Sequence, residues 1–396
     1  RVAATNLDGV SVLGIETVRP IDELPDDTFD LVVVCTPAAA NPELLRACAR
    51  KGITTAFVTS AGYGEAGVEG RRAEAELVAL AEELGILLAG PNGQGLVSTP
   101  ADLCAQIVAP FPPPGRIGVA SQSGNFVSSF GNWAVQTGIG ISRAVSAGNA
   151  AAIGVADFLA YYAEDDATAV SLGYIEGVGD GRALFERLSA AAARKPVVLV
   201  QGGTTAGGRR AAASHTGSMA SDAAIFAGLC RQIGVTLASD PEEAFEAAAT
   251  FATQPRPAGP RTAVLTTAGG WGVVTADAIV RSGSLELAVL PEDLRAAIDE
   301  KLPPRWSRNN PVDFAGGETR DTIPEVMALV AEHPGIDAIG KPILTATELA
   351  VARPDNAGPR TVRETGRVCY PSAQRAVTAL AHLWRDAEFR RSRGLE

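Results

Sequence analysis

Histidine, aromatic residues and positive charge are all scarce in this chain, and each scarcity removes a class of function. There are three histidines in 396 residues, and no CxxC pair links the five cysteines, so nothing here has the spacing of a structural zinc site. Cys35, Cys48, Cys104, Cys230 and Cys369 read as reduced core thiols of a cytoplasmic protein, and no metal site is expected. A net charge of −11 argues against a general nucleic-acid or anionic-membrane surface. No apolar run is long enough to span a bilayer, and no signal sequence is expected. No GxGxxG follows a strand, which disfavours an NAD-dependent dehydrogenase.

The composition that remains suits layered α/β structure. Aromatics make up only 5% of the residues while glycine reaches 42, so helices can lie close on sheets through small side chains. Three consecutive parallel-sheet domains are expected, over residues 1–110, 115–252 and 260–396, separated by the proline-rich connectors at 111–115 and 254–260. The first reads as Rossmann-like. Its opening strand and Gly-rich turn are not found before Asp30, and the sequence begins at Arg1 rather than Met, so that strand is expected to be missing. Three loops follow its apolar strands: Thr36-Pro37-Ala38, then Ser60-Ala61-Gly62 through Glu65, then Gly90-Pro91-Asn92. Parallel sheets bind ligands at the carboxyl ends of their strands, which is where these loops lie.

The second stretch holds the most chemistry. A short strand breaks into Ser121-Gln122-Ser123-Gly124-Asn125 before a helical pattern, an arrangement that is either a plain N-cap or a turn aiming free amides and the helix dipole at an anion. Tyr174-Ile175-Glu176-Gly177 ends a buried strand in a carboxylate, either a solvated strand end or a group that orients an imidazole. Another apolar strand, residues 196–200, leads into Gly202 through Met219, where His215 stands among Gly, Ser and Thr. An imidazole nitrogen in such a loop can be a nucleophile toward phosphorus, so His215 is expected to be phosphorylated during turnover. His333 and His382 lie in helical or turn contexts and are assigned to structure.

In the third stretch Gly269-Gly270 forms another strand-to-helix turn suited to a phosphate. Two buried strands, residues 336–339 and 342–344, are separated only by Gly340 and Lys341, although parallel neighbours need a crossover of a dozen or more residues. A helix-bearing segment is therefore expected to be missing near 339–341.

Taken together the motifs resemble the NDP-forming acyl-CoA synthetases, relatives of succinyl-CoA synthetase, and specifically their CoA-binding half. The resemblance runs through residues 60–65, Gly90-Pro91-Asn92, residues 118–124, residues 174–177, Ser214-His215-Thr216-Gly217-Ser218, Gly269-Gly270, Asn310-Pro311-Val312-Asp313 and Tyr370-Pro371-Ser372. It implies a Rossmann-like CoA-binding domain followed by two flavodoxin-like domains. It also implies an acid-thiol ligase that works through an acyl phosphate and phospho-His215, with Glu176 in support. On this basis Thr36, Pro37, Ala38, Ser60, Ala61, Gly62, Glu65, Pro91 and Asn92 contact coenzyme A, while Ser121, Ser123, Gly124, Asn125, Gly217, Gly269 and Gly270 bind phosphate. ATP or ADP and Mg2+ belong on an ATP-grasp domain or subunit that is not in these residues, the substrate is a small carboxylic acid, and the assembly is an oligomer. The rival reading is a non-catalytic CoA-sensing or scaffold domain, for which neither His215 nor Glu176 would be needed.

Overall fold

The computed structural model describes residues 2–107, 110–210, 222–314, 321–337, 342–348, 350, 353 and 355–395. Short parallel strands β1 (Ala4–Thr5) and β2 (Thr17–Val18) pair at the start. A three-stranded parallel sheet follows, β3 (Leu31–Val34), β4 (Thr55–Val58) and β5 (Leu87–Ala89), with helices α1 (Asn41–Arg50) and α2 (Val68–Glu83) as crossovers. Leu45, Cys48, Ala56, Val58, Leu77 and Leu88 fill the core between sheet and helices.

The central sheet has seven strands. Its elements are β6 (Gly95–Ser98), β7 (Leu103–Gln106), β8 (Pro114–Ser121), α3 (Gly124–Thr137), β9 (Ile141–Ser146), α4 (Val155–Glu164), β10 (Val170–Ile175), α5 (Gly181–Arg194), β11 (Val197–Gln201), α6 (Ala223–Ile233), β12 (Thr236–Ala238) and α7 (Pro241–Thr253). The order β12-β11-β10-β8-β9-β6-β7 is parallel from β12 to β9, and β10 and β11 are buried along their whole length because helices cover both faces. The β6–β7 hairpin adds antiparallel to β9 at one edge. It closes the 95–106 stretch onto this sheet rather than onto β5.

Beyond it lie β13 (Arg261–Thr262), β14 (Leu265–Thr266), α8 (Gly269–Arg281), β15 (Glu286–Leu287), α9 (Glu292–Asp299), β16 (Val312–Asp313), α10 (Thr322–Glu332), β17 (Thr345–Ala346), α11 (Ala357–Glu364), β18 (Cys369–Tyr370) and α12 (Ala373–Arg393). The strands pair two by two, all parallel. Carbonyls of Thr262, Val264 and Thr266 accept from Ala288, Val312 and Phe314 along one edge. The Arg261 carbonyl accepts from Asp337 at 3.4 Å. A cavity of about 570 Å³, lined by Ala263, Leu265, Trp271, Leu344, Thr345 and Leu380, separates β14 from β17. Residues 338–341, where a missing crossover is expected, lie outside the described residues.

The C-terminal helix α12 packs back on the central unit. Tyr370 and Ala379 join the core that also contains Phe130, Leu172 and Phe245. Of the cysteines, Cys48, Cys230 and Cys369 are buried, but Cys35 and Cys104 are exposed, which corrects the expectation that all five are core thiols. Cys35 follows the last residue of β3 and emerges at the sheet's carboxyl edge; Cys104 sits on the edge strand β7. Among the described residues no helix is long and apolar enough to cross a membrane.

Candidate functional site

The loops after β3, β4 and β5 meet at one edge of the first sheet, as parallel topology requires. Their polar side chains are spent on one another. Thr36 donates to Asn41 Oδ1 at 2.8 Å, Asn41 donates to Ser60 Oγ at 3.1 Å and to the Tyr63 hydroxyl at 2.8 Å, and Ser60 donates to the Thr36 carbonyl at 2.5 Å. Asn41 is buried, so this network fixes the relative height of the 36–38 and 60–65 loops. Glu65 then shapes its own loop by accepting the Gly62 and Tyr63 N–H groups at 2.5 and 3.2 Å. Burial opposes ionisation of Glu65, but the Asn149 amide and these backbone donors outweigh it and hold the carboxyl below its ordinary value. Asn92 adopts a left-handed conformation with φ of 60°, and its N–H donates to the Ser60 carbonyl at 2.9 Å, joining the third loop to the second.

The turn after β8 is built by a hydroxyl. Ser121 Oγ accepts the Ser123 N–H at 3.0 Å and donates to the Ser123 carbonyl at 2.7 Å. Ser123 is the N-cap of α3 but its side chain makes no capping bond, so the first-turn amides after Gly124 keep their donors and the positive end of the helix dipole. Gly124 is required at this point because a Cβ would strike the side chain of Gln94, whose amide reaches Asn125 Oδ1 at 3.4 Å.

Gln122 brings this turn to Glu176. Its Oε1 accepts the Glu176 N–H at 2.5 Å and the Gly177 N–H at 3.2 Å, and its Nε2 donates to the Gly177 carbonyl at 3.4 Å. The Glu176 side chain is 8% exposed and hydrogen bonds with Tyr174. Burial pushes the Tyr174 hydroxyl up, and the Glu176 carboxylate pushes it further, so the phenol stays protonated. Gly202 donates its N–H to the Ile175 carbonyl at 2.8 Å, and a Cβ there would meet the Tyr174 hydroxyl and Glu176 Cγ. The chain therefore leaves β11 beside Tyr174 and Glu176. His215 itself, with Gly217, lies outside the described residues.

Gly269 and Gly270 occupy a second copy of the same device in the third unit. Thr266 Oγ1 accepts the Ala268 N–H at 3.1 Å and donates to the Ala268 carbonyl at 2.9 Å, and Ala268 begins α8 without a side-chain cap. The Asp313 carboxylate stands beside it, 2.7 Å from where a Cβ on Gly269 would be. Asn310 ties the strands below by donating to the Thr262 and Ala288 carbonyls, both at 2.9 Å, and accepting from the Val264 N–H at 2.9 Å. His333 and His382 sit in structural contacts, with Asp293 at 3.2 Å and Glu243 at 2.8 Å. Among the described residues no group of three or more His, Cys, Asp or Glu could hold a metal.

Sequence reasoning held Gln122 and Gln94 only as members of the 121–125 and 90–95 loops, with no role of their own, and missed Asn149. Each is an amide side chain whose partners lie 31 to 84 residues away, and an isolated Asn or Gln carries no local pattern to mark it.

Parallel strands with glycine loops on their carboxyl edges, and helices that start without a side-chain cap after β8 and β14, are an arrangement in which α/β proteins commonly hold phosphorylated ligands. Matches to known proteins narrow that class. Residues 1–98 match a CoA binding domain, residues 114–251 a succinyl-CoA ligase like flavodoxin domain, and residues 262–354 a ligase-CoA domain. The chain is 37% identical to acetate–CoA ligase [ADP-forming] I of Archaeoglobus fulgidus over 87% of its length, and spans 50% of that relative. It is 32% identical to the alpha subunit of acetate–CoA ligase [ADP-forming] I of Pyrococcus furiosus, covering 94% of this chain and 86% of the subunit. The dinucleotide forming acetyl-coenzyme A synthetase 1 of Ca. Korarchaeum cryptofilum, solved with phosphate and ADP, superposes with a TM-score of 0.88 at 29% identity over 98% of this chain and 89% of the other. The chain belongs to the NDP-forming acyl-CoA synthetase family, with the CoA-binding and succinyl-CoA ligase-like domains of that family.

Proposed function

We propose that this chain is the CoA-binding and phosphohistidine half of an ADP-forming acyl-CoA ligase, which joins a small carboxylic acid to coenzyme A at the expense of ATP. The observation that supports the reading is the Gln122 clasp, which holds the uncapped start of α3 beside the Glu176 strand end. A phosphorylated imidazole needs amide donors for its oxygens and an acceptor for its other nitrogen, and this site offers both.

In the synthetic direction His215 accepts the phosphoryl group from ATP and passes it to the substrate carboxylate as an acyl phosphate. Glu176 holds the imidazole orientation, while Gly124 and Asn125 amides, with Ser121 and Ser123 shaping the turn, neutralise the phosphoryl oxygens. A second cradle at Gly269 and Gly270 serves the same charge on the third unit. The first sheet's loops are assigned to coenzyme A at Thr36, Pro37, Ala38, Ser60, Ala61, Gly62, Pro91 and Asn92, chiefly through their backbone groups because the Thr36 and Ser60 hydroxyls are held within the loop network, with Glu65 shaping the second loop. The thiol of coenzyme A then takes the acyl group from the acyl phosphate, with inorganic phosphate as the leaving group. The nucleotide and its Mg2+ are assigned to an ATP-grasp domain or subunit, and the assembly to a cytoplasmic oligomer.

The test is incubation with labelled ATP and the ATP-grasp part. Acid-labile, base-stable phosphate that is lost in His215→Ala supports the reading. Absence of label from the wild-type chain, with CoA still bound, favours the CoA-sensing or scaffold alternative.

A further inference from the structure

The loop after β9 carries a residue whose polar groups point out of its own unit. The Asn149 N–H donates to the Pro91 carbonyl at 2.9 Å. Its side-chain Nδ2 donates to Glu65 Oε2 at 2.6 Å and to Glu74 Oε2 at 2.7 Å, one N–H for each carboxylate. Its Oδ1 accepts from Asn92 Nδ2 at 3.2 Å. Two residues on, Ala151 donates to the Gly90 carbonyl at 3.1 Å. Gly148, with φ of +57°, lets the backbone come so close to Pro91 and Asn92 that a Cβ would collide with them. Glu74 in turn accepts the Gly64 N–H at 3.1 Å from its place on α2.

We propose that Asn149 is a positioning residue for the coenzyme A site: it pins the 60–65 and 90–92 loops of the first unit to the β9 edge of the central sheet, and so sets the CoA loops in register with the phosphoryl-carrying site. The proposal rests on the CoA reading given above and adds the group that fixes its geometry. Asparagine is needed because the cluster holds two carboxylates that accept and one amide nitrogen, Asn92 Nδ2, that donates. The position must donate twice and accept once, which an aspartate cannot do. Asn149→Asp would set a third carboxylate against Glu65 and Glu74, driving the two loops away from the 146–151 loop. Glu74→Gln added to it removes one repulsion and returns a donor.

Two measurements on the full chain decide the matter. Calorimetric titration with coenzyme A is expected to show affinity weakened roughly tenfold in Asn149→Asp, a change of about 1.4 kcal/mol, with substantial recovery in the Asn149→Asp/Glu74→Gln double variant. Amide exchange at residues 61–65 is expected to speed up in Asn149→Asp and slow again in the double variant, with the thermal unfolding midpoint of the chain little changed. Unchanged exchange, or loss of CoA affinity that Glu74→Gln does not recover, overturns the pin. If the wild-type chain gives no heat with CoA while exchange at 61–65 still responds to the variants, the pin stands as a contact between units and the CoA reading is what fails.

Discussion

Gln122 Oε1 lies 2.5 Å from the Glu176 backbone nitrogen, so one amide side chain joins the start of α3 to the carboxyl end of β10. The same oxygen serves Gly177, and the other end of the amide donates to the Gly177 carbonyl. Removing it leaves two strand-end N–H groups without their acceptor, at about 1–3 kcal/mol of stability. Gln122→Ala is expected to slow phosphate incorporation roughly tenfold or more, because the helix start and Glu176 are no longer held in register. Gln122→Glu keeps the acceptor but loses the donor and adds negative charge beside an anion site, so it should be slower still. Rates of acid-labile labelling, read beside denaturant midpoints, separate the two effects.

Glu176 and His215 call for a paired test of the proposed phosphoryl transfer. His215→Ala is expected to abolish labelling. Glu176→Gln keeps the shape but not the charge, and should cost roughly 10²-fold in labelling rate, because the imidazole loses the carboxylate that orients it and supports its charge. A Glu176→Gln protein labelled at the wild-type rate would remove Glu176 from the site and leave it as a packing partner of Tyr174.

How far the sequence revealed this arrangement can be seen from individual residues. The repeated strand-helix units, the loops at their carboxyl edges and the Ser121 and Glu176 strand ends were legible because apolar runs and glycine breaks are local signals. The β6–β7 hairpin was not, since its place is decided by pairing Gly95 with Ser146, 51 positions later, and by nothing in residues 95–106. The exposure of Cys35 was hidden for a related reason: an apolar run does not say where the strand stops and its last side chain leaves the core. Asn149 was illegible because its role resides in Glu65, Glu74 and Asn92, all in another unit.

The contact between α7 and α12 predicts a pH response with a definite sign. Burial, followed by the nearby Glu242 and Asp240 charges, pushes the Glu246 carboxyl up to about 7 against the attraction of Arg375, its partner at 2.7 Å. A carboxyl raised in the folded state favours folding while it is protonated there. Its contribution is full below the unfolded value near 4.5 and is lost as pH rises through about 7, for a total of about 3 kcal/mol. Glu243 runs the other way. Burial opposes its ionisation, but His382 and Ser239 outweigh it and hold the carboxyl down at about 2, so its contribution is present above 4.5 and is lost toward pH 2. Glu246→Gln is therefore expected to flatten the decline in urea midpoint between pH 5 and pH 8, and Glu243→Gln to flatten only the acid limb. An unaltered pH 5 to 8 slope in Glu246→Gln would contradict the assignment.

The C-terminal helix is tied to the central unit through Arg390, whose buried ion pair with Asp386 lies within the helix itself, and this gives the sharpest stability prediction. Arg390 and Asp386 have side chains only 2% exposed and meet at 3.0 Å. The guanidinium continues to the Ala192 carbonyl at 2.8 Å and the Ala193 carbonyl at 3.3 Å, which lie in the last turn of α5. Arg256 also reaches Asp386 Oδ2, at 3.3 Å, but its own side chain is 41% exposed and cannot replace Arg390 inside. Arg390→Ala leaves a buried carboxylate short of its main partner and two α5 carbonyls without donors, and should cost roughly 3–5 kcal/mol. The pair is not expected to be worth that much in itself, since bringing both charges out of water offsets most of their attraction. The double variant Asp386→Leu/Arg390→Met, which fills similar volume without charge, should therefore regain most of the loss. Measured by urea unfolding, a double variant no more stable than Arg390→Ala would mean that the bonds to Ala192 and Ala193, rather than the stranded Asp386 charge, carry the cost.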